Sequence, residues 1–123
     1  MYKERPLLSN LVNENTTETE KFQNEVLRPI IKMQNDLLIA LLKAYLKKRK
    51  VDFNVLSEPN KKSIIKSIFQ KNMNLKNLLL GIVLGNFSLD EFLFYEKKAS
   101  EFNKRIIQII IQRLQSKTSL IKL

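Results

Sequence analysis

Residues 18–48 read ETEKFQNEVLRPIIKMQNDLLIALLKAYLKK, and within them Phe22, Val26, Ile30, Met33, Leu37, Leu41 and Ala44 recur every three or four positions. That spacing places one apolar stripe along a helix and fits no strand, whose side chains alternate from face to face. Thr17 followed by Glu20 has the pattern of a capping box, so the helix starts at Glu18 and runs for about 45 Å to Lys48. Pro29 lies inside it, without an N–H and crowding the carbonyl four residues back, which predicts a kink over 25–29.

Beyond this stretch the same period returns. After the link 51–56, Ser57-Glu58-Pro59 caps a second helix whose buried face is Ile64, Ile65, Ile68 and Phe69. Asn72-Met73-Asn74 breaks it, and Asn74 is expected to cap a third, short helix. That helix is so rich in Leu, Ile and Val that it is expected to be enclosed on most sides, with Gly85 as a left-handed terminator. Ser88-Leu89-Asp90-Glu91 opens a fourth helix, along which Phe92, Tyr95, Ala99, Phe102, Ile106, Ile109 and Ile110 keep period toward Leu114. Glu101, Arg105, Gln108, Gln112 and Gln115 form its polar stripe.

The reading is an all-α, four-helix bundle-like domain, with two long helices at about 18–48 and 89–116 and two short ones at about 58–72 and 75–85. Residues 1–16 read as an irregular arm, 17–123 as one helical domain, and 116–123 as a fraying end.

The chain has no Cys and no His. Disulfides, thiol nucleophiles and the usual nitrogen ligands of soft metals are therefore excluded, and no cofactor is expected. The lack of Cys fits a reducing cytoplasm. The longest apolar stretches, 78–84 and 106–111, fall far short of the ~20 residues of a membrane span, and the first residues lack the apolar core of a secretory signal.

Carboxylates are the remaining candidates for acid-base chemistry, and Asp90, Glu91 and Glu96 are the best group. First-turn acids complement the helix dipole, so a capping role is the simpler explanation, as it is for Glu18 and Glu20. Gly81 and Gly85 have a small-xxx-small spacing, read as one glycine that permits packing and one that ends the helix. No phosphate-binding glycine loop is present.

Charge departs most from the ordinary: the net charge is +10, and residues 43–76 alone hold ten basic and two acidic side chains. Lys43, Lys47, Lys48, Arg49, Lys50, Lys61, Lys62 and Lys66 are candidate phosphate contacts, which would meet where the first two helices join. A plain solvated face explains them first, non-specific nucleic-acid contact second and sequence-specific DNA reading last, because Leu78-Leu79-Leu80 offers no base-reading side chain.

The isoleucines at 106, 107, 109, 110 and 111 cover an arc wider than one neighbouring helix buries. The arm or a second copy of the chain would cover it. The reading leans to a homodimer with Ile106, Ile107, Ile110, Ile111 and Leu114 at the interface.

The runs Lys21-Phe22-Gln23-Asn24, Leu27-Arg28-Pro29-Ile30-Ile31-Lys32 and Gln34-Asn35-Asp36-Leu37-Leu38, with Asn103-Lys104-Arg105, resemble a small family of uncharacterised bacterial proteins of about this length. Some of its members carry the label glyoxalase. The metal-dependent enzymes of that name use His and Glu ligands on a strand-built barrel, and this chain has no His and no strand pattern, so no site residue carries over. The functional expectation is a non-enzymatic binding or scaffolding module. Non-specific nucleic-acid binding through 43–66 comes second, and a carboxylate enzyme third.

Overall fold

The computed structural model of the protein describes residues 17–123, and the expected arm at 1–16 lies outside them. Every described regular element is helical: α1 (Glu18–Phe22), a π-helical turn (Gln23–Leu27), α2 (Arg28–Met33), α3 (Asn35–Lys48), α4 (Glu58–Lys71), α5 (Met73–Leu84), α6 (Leu89–Glu96) and α7 (Ala99–Ser116), with short 3-10 turns at Phe53–Val55 and Thr118–Leu120. The fold is an all-α, bundle-like domain, and each of the four expected segments is helical.

The first long segment contains two irregularities. Pro29 cannot donate to Glu25, and the chain answers by widening: the Arg28 N–H reaches the Gln23 carbonyl, five residues back. A second break falls at Gln34, with φ −94° and ψ 12°. Despite both, Phe22, Val26, Leu27, Ile30, Ile31, Leu38, Ile39, Leu42 and Leu46 all face the core.

The last long segment is divided where the sequence reading has it continuous. Lys98, at φ −140° and ψ 47°, separates α6 from α7. The bend folds α6 back so that Phe94 and Tyr95 reach an aromatic cluster, in which the Phe22 ring lies 4.9 Å from Phe102 and 5.0 Å from Phe94.

Helix α7 is the central element, with α2, α4, α5 and α6 packed along it. Polar ties fix its rotation: Arg105 donates to Gln23 Oε1 at 2.7 Å and Arg113 to Asn35 Oδ1 at 2.8 Å. Ile106, Ile107, Ile109, Ile110 and Leu114 are buried within the chain, and Ile111 is half-buried. Of the residues expected at a dimer contact, Ile106, Ile107, Ile110 and Leu114 are thus covered within a single chain, and Ile111 is partly covered.

Three smaller expectations are also corrected. The cap of α5 is Asn72, whose Oδ1 accepts the Leu75 N–H at 2.9 Å, not Asn74. Helix α5 buries only Leu75, Leu79 and Val83 and leaves Leu78 50% exposed; Gly81 meets open space, and Gly85 is right-handed at φ −62°. The end at 116–123 is docked: Ile121 is buried, Thr118 donates to Glu58 Oε2 at 2.6 Å, and Leu123 and Asn54 exchange two hydrogen bonds.

Candidate functional site

Helix α3 ends in a Schellman turn whose left-handed position holds Lys50, at φ 55°, where glycine is usual. The Lys50 N–H returns to the Lys47 carbonyl and the Val51 N–H to that of Leu46, both at 3.0 Å. The turn aims Val51 inward and leaves Arg49 against the Tyr45 ring, with its guanidinium carbon 5.2 Å from the centroid.

Facing this turn, the end of α4 and the start of α5 complete an open cleft of about 580 Å³. Its wall is aliphatic, from Val51, Ile64, Ile68 and Met73. Uncharged hydrogen-bonding groups come from Tyr45, Ser67, Asn72 and Asn74, while Arg49 and Lys71 supply positive charge, and among the described residues no acid lines the space. Asn72 holds the two sides together, donating its side-chain amide to the Tyr45 hydroxyl at 3.1 Å while capping α5.

The eight basic residues singled out from the sequence are distributed unevenly around this cleft. Arg49 lines it. Lys47, Lys48, Lys50, Lys62 and Lys66 are exposed outside its lining, and none has an ion-pair partner among the described residues. Lys61 is turned elsewhere: it pairs with Glu58 at 3.6 Å and covers the buried Phe53 ring at 5.5 Å. Lys43 is half-buried. Sequence reasoning missed Tyr45, Ser67, Lys71 and Asn72. Lys71 was within reach, since the surplus of positive charge extends to 76, but the pairing of Asn72 with Tyr45 spans 27 positions and leaves no local signal.

The carboxylate group at the start of α6 has a different character. Glu91, 4% exposed, accepts the Ser88 N–H at 2.9 Å while its own N–H donates to Ser88 Oγ at 3.1 Å, a complete capping box. Asp90 and Glu96 are exposed. Among the described residues no three acidic side chains gather where they could hold a metal ion. No described helix is long and apolar enough to cross a membrane.

Compared with protein-family models, curated proteins and solved structures, the chain finds no match. The resemblance carried by residues 21–38 and 103–105 therefore gains no support from them.

Proposed function

We propose that this protein is a non-catalytic binding module for a polyanion, and that it contacts nucleic acid through phosphates without reading sequence. The observation that carries this reading is the surplus of positive charge over residues 43–76, where ten basic side chains face two acidic ones and Glu58 is already engaged by Lys61. Exposed, unpaired ammonium groups gain by displacing the counterions condensed on a phosphate backbone. They project from two helices and the turn between them, a broad surface suited to a backbone rather than to a single small anion.

The test is a salt titration of binding to labelled duplex and single-stranded oligonucleotides. Affinity is expected to fall linearly on a double-logarithmic plot, with a slope of about −0.7 to −0.9 per phosphate neutralised. Charge reversal at Lys47, Lys48 and Lys62 should flatten that slope. Absence of association at low salt overturns the reading.

A further inference from the structure

We propose that the cleft between the end of α3, the end of α4 and the start of α5 accepts one unstacked nucleotide, so that the protein prefers single strands to duplex. This rests on the polyanion reading above and adds a site to it. The exposed lysines can neutralise phosphates on either form of nucleic acid, but only a strand with free bases can fill a recess in the surface.

The lining matches the parts of a nucleotide. Arg49 is exposed, with its guanidinium carbon 5.2 Å from the Tyr45 centroid, and supplies a planar cation on which a base can stack. The aliphatic wall of Val51, Ile64, Ile68 and Met73 offers the nonpolar surface against which the face of a base can pack. Ser67 and Asn74 supply hydrogen-bonding groups at the rim, and Lys71 supplies a point charge for the adjoining phosphate. The volume, about 580 Å³, is within the usual range for a ligand of this size. Among the described residues the lining is free of carboxylates, and its net positive charge favours a phosphate.

The experiment measures fluorescence anisotropy of the full chain with three probes of equal phosphate count: oligothymidylate, the same strand made abasic, and a duplex. Oligothymidylate is expected to bind about fivefold or more tightly than the abasic strand, the scale of one base stacked on a side chain. Two variants locate the effect. Arg49→Lys keeps the charge and loses the planar group, and Ser67→Phe fills the recess; each should bring the oligothymidylate and abasic affinities together without changing the salt slope. Circular dichroism melts establish that each variant is folded, and Arg49→Lys, at an exposed position, decides the matter if Ser67→Phe is not.

Equal affinity for all three probes in the unaltered protein overturns the cleft proposal and leaves the polyanion reading standing. A base preference that survives in a folded Arg49→Lys variant also overturns it. Failure of every probe to bind at low salt removes both.

Discussion

The side chain of Asn72 joins two helices at once, its amide donating to the Tyr45 hydroxyl at 3.1 Å and its oxygen accepting the Leu75 N–H at 2.9 Å. The cleft keeps its shape through this residue. Asn72→Ala removes the cap, at a cost of about 1 kcal/mol, and the interhelical bond, at about 1 kcal/mol more. Tyr45→Phe removes only the second, so urea unfolding should show it to be the milder change, and the double variant should cost less than the sum of the two.

Lys50 occupies the left-handed position of the turn that sets Arg49 and Val51 in place. A side chain there carries a cost of roughly 1 kcal/mol that glycine avoids. Lys50→Gly should therefore stabilise the fold by up to about 1 kcal/mol in chemical denaturation, while lowering polyanion affinity slightly through the lost charge. A loss of stability would mean that the lysine stem makes a compensating contact.

Ile110 is fully buried inside the chain. Ile110→Ala should destabilise by about 2–5 kcal/mol. Because its neighbours belong to the same chain, the unfolding midpoint of this variant is expected to be independent of protein concentration. A midpoint that rises with concentration would return these isoleucines to an interface between copies.

The docked end gives a fourth expectation. Ile121→Ala should cost about 2–4 kcal/mol, a loss of core packing that an end frayed in solvent would not produce. Asn54→Ala, which removes only the exposed bonds to Leu123, should cost well under about 1 kcal/mol. Thermal melts of the two variants distinguish a packed end from one held by its hydrogen bonds.

Glu58 provides the pH dependence. The hydrogen bond from Thr118, together with Lys61 and Lys62, holds its carboxyl below the usual glutamate value, against an opposing effect of desolvation. With the folded value depressed, its stabilising contribution is complete above the ordinary glutamate value and is lost as pH falls through the folded one. Melts of the unaltered protein and of Glu58→Gln should converge as the solution is acidified below the ordinary glutamate range. A gap that persists unchanged at low pH would show that the carboxylate charge plays no part.

Most of the secondary structure was legible because it is encoded over three or four positions. Ser57 and Ser88 mark helix starts, and Phe22, Val26 and Ile30 of the first expected stripe are buried. Beyond the break at Gln34 the buried face passes to Leu38, Ile39 and Leu42, while Met33, Leu37 and Ala44 of that stripe are exposed. The features that escaped depend on distance. Nothing around Lys98 indicates a bend, which forms because Phe94 and Tyr95 reach Phe22 and Phe102. Ile121 looks like part of a loose polar end until Glu58 and Asn54 are seen bonded to that end of the fold. For the candidate site, composition revealed the charge of residues 43–76 and its neighbours in sequence, whereas the cleft arises from three segments meeting and could not be read from any of them alone.

The widened turn at Gln23–Leu27 bears on how the chain tolerates changes in length. Because the Arg28 N–H bonds five residues back, this turn holds more backbone than ordinary helical winding needs. Loss of one residue elsewhere in a helix swings everything before it by about 100°. Here the slack absorbs a single deletion, so that Phe22 stays seated among its aromatic neighbours, and this is the position where a homologue one residue shorter would be expected to carry its gap.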